Sequence, residues 1–130
     1  MTTPQDRTPR GSGWLGPVLA LYWLALFAVT HLPQAALPKT HLGDKLEHFL
    51  AYAVLGGLLT AWMARRRARM RHPMVVALIT VLGYAAIDEL TQPVVNRHAD
   101  LRDWLADAIG AAVGVGVSSI VLYFCHRRQG

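Results

Sequence analysis

Residues 44–71 read DKLEHFLAYAVLGGLLTAWMARRRARMR, and this stretch decides the fold. Its apolar part, from about Leu46 to Met63, has no charged residue after His48. A helix of about 18 residues rises about 27 Å, close to the ~30 Å hydrocarbon thickness of a bilayer. The run then stops at Arg65, Arg66, Arg67, Ala68, Arg69, Met70 and Arg71, which places five arginines within seven residues. Arginines packed against the end of an apolar helix mark the cytoplasmic side of a membrane.

Three more apolar blocks lie around this one. Together they predict helices over about residues 14–32, 46–63, 74–92 and 101–124. Proline ends two of these blocks, at Pro33 and Pro93, because the residue before a proline is steered out of helical geometry. The expected fold is all-α: a polytopic membrane protein built as a bundle of four transmembrane helices. Residues 1–13, rich in Pro, Thr, Gly and Arg, are expected to be a disordered cytoplasmic tail. Residues 14–124 then form one membrane domain, and 125–130 a second cytoplasmic tail. The first block has a basic leader like that of a signal peptide. It exceeds an ordinary h-region and no A-x-A cleavage site follows, so it reads as a retained helix.

Composition agrees with this. The chain has 130 residues, 53% hydrophobic and 16% charged, where a soluble domain carries about 25% charged residues. Its net charge is +5, but the basic residues sit at the ends of apolar blocks rather than on a polar domain. That distribution argues against nucleic acid as a partner and for anionic lipid headgroups. The single cysteine, Cys125, excludes an intrachain disulfide.

Alternate loops differ in basic residues. Arg7, Arg10, Arg65, Arg66, Arg67, Arg69, Arg71, Arg127 and Arg128 fall on one side, nine in all, against four (Lys39, Lys45, Arg97 and Arg102) on the other. The positive-inside rule then places both termini and the arginine loop in the cytoplasm of a multi-pass protein of the cytoplasmic membrane. Small residues recur every four positions at Ala106, Gly110, Gly114 and Ser118, and at Ala53, Gly57 and Ala61. These are expected to be seams of close helix packing.

Polar residues gather on the opposite, outward side. Asp44, His48 and Tyr52 share one helical stripe. Asp88, Glu89 and Gln92 end the third block, with Tyr84 one turn below Asp88. Arg97 precedes Asp100, Asp103 and Asp107, which lie on one face with Gly110 and Gly114. Asp107 is about two turns inside the fourth helix, where a charge costs up to roughly 3 kcal/mol, so it is expected to be neutral, bound to a cation, or paired with Arg97, Lys45 or His48. Plainer roles are available to some of these residues. Asp100 can cap the fourth helix, Asp103 can complement its dipole, and Asp44 can cap the second. His31, His41 and His98 read as interfacial polar residues.

The motifs D-K-x-x-H-F-x-x-Y (Asp44 to Tyr52), E-x-x-Q (Glu89, Gln92) and R-x-x-D-x-x-D-x-x-x-D-x-x-G (Arg97 to Gly110) occur in order over roughly residues 40–115. In this the chain resembles the VanZ-like family of small integral membrane proteins. The resemblance implies a cell-envelope protein and, for the family, a link to glycopeptide antibiotic susceptibility. Many members carry Asn where this chain has Asp107, so the acid adds charge or metal affinity.

Three functions are compatible with these residues. An outward polar pocket binds or processes an envelope molecule with an anionic headgroup, an anionic lipid or lipid-linked glycan, through Lys45, His48 and Arg97. Alternatively, His48, Glu89, Asp100, Asp103 and Asp107 hold a divalent metal for an intramembrane enzyme. In the third, the polar groups only fix helix packing, and function lies in partner binding. A transporter or channel fits least, because the inner halves of the helices are apolar.

Overall fold

The computed structural model describes residues 13–33, 36, 43–66, 72–95 and 97–128. It contains four α-helices and no strand among the described residues. They are α1 (Leu15–Thr30), α2 (Asp44–Arg65), α3 (Pro73–Thr91) and α4 (Leu101–Arg127). A 3₁₀ turn, Gln92–Val95, extends α3. The expectations for residues 1–12, for Lys39 and His41, and for Arg67, Arg69 and Arg71 lie outside the described residues.

The helix ends follow local chemistry. α1 stops at Thr30, two residues short of the expected end, because Pro33 forces Leu32 out of the helix. α2 starts two residues early, at Asp44, where Asp44 and Glu47 place negative charge in the positive first turn. α3 begins with Pro73 at its first position, where no intrahelical N–H is needed. It tightens to a 3₁₀ turn at Pro93, which has no N–H to continue the α-helical ladder. Asp100 caps α4, its carboxylate accepting the Arg102 backbone N–H at 2.8 Å.

α2, α3 with its 3₁₀ turn, and α4 are each long and apolar enough to cross a membrane. α1 is apolar but has 16 residues, about 24 Å of rise. Its helix falls short of the expected residues 14–32.

The closest helix pair is α2 with α4, and glycine makes it so. A Cβ on Gly110 would collide with the Phe49 carbonyl, and one on Gly114 with the Ala53 carbonyl. Across the seam, a Cβ on Gly56 would sit 2.8 Å from the Ala111 carbonyl oxygen. The α4 seam therefore runs through Gly110 and Gly114 as expected. On α2 it centres on Ala53 and Gly56, while a Cβ on Gly57 would make an ordinary contact, 3.5 Å from the Gly114 carbonyl oxygen.

The interior is layered along the bundle. Leu55, Leu59 and Met63 of α2 meet Ala77 and Val81 of α3, Val115 of α4 and Leu19 of α1 in an apolar core toward one end. Apart from Thr60, whose hydroxyl donates to the Gly56 carbonyl of its own helix, the buried polar residues described occupy the other: Thr30, His48, Asp88, Glu89, Gln92, Asp103 and Asp107. The outer surface is apolar, with Leu21, Leu24, Ile79, Ile87, Ile109 and Ile120 all more than half exposed. A helix bundle with this exterior is suited to lipid rather than water.

Candidate functional site

The polar end divides into three linked groups. In the first, between α2 and α4, His48 Nδ1 donates to Asp107 Oδ1 at 2.9 Å, with both side chains buried. The second oxygen of Asp107, Oδ2, is buried and has no hydrogen-bond partner among the described residues. One turn before Asp107, the nearly buried Asp103 accepts from Lys45 Nζ at 3.4 Å. Lys45 itself is half exposed, at the rim. Asp44, exposed at the start of α2, brings a carboxylate oxygen near His48 and Asp103. One ligand atom from each of these three residues lies within 4.8 Å of the others.

The second group centres on Asp88 and ties three helices together. Its Oδ1 accepts the Thr30 hydroxyl of α1 at 2.8 Å and the Tyr84 hydroxyl at 3.4 Å. Its Oδ2 accepts the Tyr52 hydroxyl of α2 at 3.0 Å. The Tyr52 and Tyr84 rings stack 5.9 Å apart, and Trp23 of α1 meets Tyr84 edge-on at 5.1 Å. His31 Nδ1 lies 3.6 Å from Asp88 Oδ1, and its Nε2 is 2.9 Å from the Thr91 hydroxyl. A carboxylate with this many donors is satisfied, and its chemistry is that of a fastener.

The third group joins α3 to the start of α4. Glu89 accepts the backbone N–H of Asp100 through Oε1 and the Gln92 amide through Oε2, the latter at 3.2 Å. The loop is held further by Arg97, whose Nη1 donates to the Thr30 carbonyl at 3.3 Å. A cation there complements the negative end of the α1 dipole.

The candidate pocket residues thus lie at one end of the bundle, in separate roles. Asp107 pairs with His48 rather than with Arg97 or Lys45. Asp100 is committed to capping and Glu89 to the loop, so neither joins the Asp44, His48 and Asp103 trio. Tyr52 shares its stripe with Asp44 and His48 but turns to Asp88.

Two residues at the C-terminal end of α1 join the site without a signal in the sequence, where His31 reads only as an interfacial polar residue. Thr30 and His31 reach Asp88, and no periodic pattern announces them: a lone Thr at the end of an apolar run is uninformative until the helix is docked. Tyr22, whose hydroxyl donates to the Ala51 carbonyl at 2.8 Å, likewise pins α1 to α2.

Searches for similar curated proteins and for similar solved structures gave no match. Residues 14–122 match the family described as VanZ/LLP1, a span that takes in all of α1, α2 and α3 and most of α4. With its three polar motifs set on these helices, the chain belongs to the VanZ/LLP1 family.

Proposed function

We propose that this is a multi-pass protein of the cytoplasmic membrane whose polar end faces outward and binds an envelope molecule with an anionic headgroup, an anionic lipid or lipid-linked glycan. All four helices cross the bilayer in this reading, with both termini cytoplasmic. The apolar exterior supports insertion, and the nine-to-four bias of basic residues supports the orientation. α1, at about 24 Å of rise, is accommodated by local thinning of the bilayer and by Trp14 at the interface.

The observation that carries the reading is the burial of four carboxylates and an imidazole at one end of helices whose remaining surface is apolar. Ionisable groups in such a setting are costly and belong to functional sites by default. At the rim, two cations keep donors for a ligand. Lys45 is half exposed and, among the described residues, makes one long contact, to Asp103. Arg97 uses Nη1 on the Thr30 carbonyl, and a guanidinium has five N–H donors suited to forked phosphate contacts.

The test is binding of anionic lipid by the purified protein with His48→Ala and Arg97→Ala made separately. Loss in either supports the site; unchanged binding in both overturns it. The packing role is a second reading, favoured for Asp88 alone, whose oxygens are already occupied by hydroxyls.

A further inference from the structure

Around His48 the polar end is acidic. Asp44, Asp103 and Asp107 lie around His48, and of the three Asp103 pairs with the Lys45 ammonium. We propose that Asp44, His48 and Asp103 form a binding site for a first-row divalent cation, Mn²⁺ or Zn²⁺, with Asp107 positioning the imidazole from behind. This deepens the headgroup reading and rests on it for the ion's purpose, which is to bridge the protein to a headgroup phosphate.

Three features converge on the site. The donor set, one imidazole nitrogen and two carboxylate oxygens, is one that Mn²⁺ and Zn²⁺ accept, and it leaves coordination positions open for a phosphate oxygen or water. The ligand atoms lie within 4.8 Å of one another. Two ligands about 2.0–2.2 Å from one ion stand roughly 3.4 Å apart at tetrahedral angles, so the trio closes onto a cation by side-chain movements of about 1 Å or less.

The arrangement behind His48 is the second feature. Asp107 holds Nδ1 at 2.9 Å, which leaves Nε2 as the ligating nitrogen. A carboxylate that fixes the far nitrogen of an imidazole is the usual outer partner of a histidine that binds metal. The third is the unpartnered Asp107 Oδ2, buried on a side chain that is 1% exposed. A buried acceptor without a donor marks local negative charge that hydrogen bonds in the fold do not neutralise, and a cation at His48 offsets it. Asp44, exposed on the rim, gives the ion a way in.

Lys45 then acts as a competitor. Its ammonium sits 3.4 Å from Asp103 Oδ1, where it takes up the charge that an ion would meet. Removing it therefore strengthens metal binding while weakening the direct contact to an anionic headgroup.

The experiment uses the full chain, purified in detergent, stripped with a chelator and titrated separately with Mn²⁺ and Zn²⁺, with Cys125→Ser present to remove the exposed thiol. One ion per chain is expected. Asp44→Asn, at an exposed position, and His48→Ala each weaken it at least about tenfold, and Asp107→Asn weakens it about tenfold, the usual scale for an outer partner. Lys45→Met tightens it, a change that a merely structural role for Asp103 does not produce. Absence of binding for both ions, or affinity unchanged in both Asp44→Asn and His48→Ala, overturns the proposal. Parallel titration with vesicles containing anionic lipid separates the two claims. Metal binding without vesicle binding overturns the headgroup reading alone, and vesicle binding indifferent to metal and chelator overturns the bridging role.

Discussion

His48 of α2 and Asp107 of α4 meet at 2.9 Å across the tightest helix interface of the molecule, just above the level where Gly110 faces the Phe49 carbonyl. The glycine brings the backbones together, and that approach lets a short carboxylate reach an imidazole on the facing helix. Asp107→Asn keeps an acceptor for Nδ1–H and is expected to fold with stability within about 1 kcal/mol of the parent. Asp107→Ala leaves that N–H buried and unpaired, at a cost of about 1–3 kcal/mol. Denaturant unfolding in detergent compares the two, and equal losses would contradict the pairing.

Asp88 is expected to respond differently. Replacement by Ala strands hydroxyls from Thr30, Tyr52 and Tyr84 at once. The expected loss is about 2–4 kcal/mol, since a hydrogen bond to a charged group contributes about 1.5–3 kcal/mol and neighbouring losses do not add fully. Thr30→Val removes one donor and should cost less, about 1–2 kcal/mol. A melting temperature for Asp88→Ala equal to that of the parent would remove the fastener role.

Gly114 and Gly116 make a matched pair on α4. A methyl at Gly114 meets the Ala53 carbonyl, whereas one at Gly116 meets nothing within 4 Å. Gly114→Ala is expected to destabilise by about 1–3 kcal/mol or to separate the helices. Gly116→Ala should be neutral or stabilise by up to about 1 kcal/mol, through reduced backbone freedom. Yields of folded, monodisperse protein from size-exclusion chromatography distinguish them, and similar behaviour of both would contradict the seam.

Orientation is testable with Cys125, which is exposed at the end of α4. A membrane-impermeant maleimide applied to intact cells should leave Cys125 unlabelled and should label a cysteine placed at the exposed His98 in a Cys125→Ser background. Labelling of Cys125 from outside would reverse the topology and put the polar end in the cytoplasm.

Much of this fold was legible in the sequence because apolar run length and proline position are local signals. The α2 stretch quoted first shows where legibility ends. Its stripe of Asp44, His48 and Tyr52 is visible from spacing, but the division of that stripe between two partners is not. His48 faces α4 and Tyr52 faces α3, because residues four apart on a helix are turned about 40° from one another and α4 and α3 pack on neighbouring sides of α2. Asp88 and Glu89 make the same point. Adjacent residues on a helix point about 100° apart, so one anchors α1 and α2 while the other secures the α3–α4 loop. The part played by Thr30 and His31 was hidden entirely, since it depends on where α1 docks.

The most direct test of the account joins stability and binding on one preparation. His48→Ala and Arg97→Ala proteins, reconstituted in nanodiscs, are titrated with anionic lipid and then unfolded. The account predicts that at least one of them keeps a cooperative unfolding transition while its affinity for anionic lipid falls at least about tenfold, equivalent to about 1.4 kcal/mol. Parental affinity in both would contradict it, and so would a loss of binding that only ever accompanies loss of the fold.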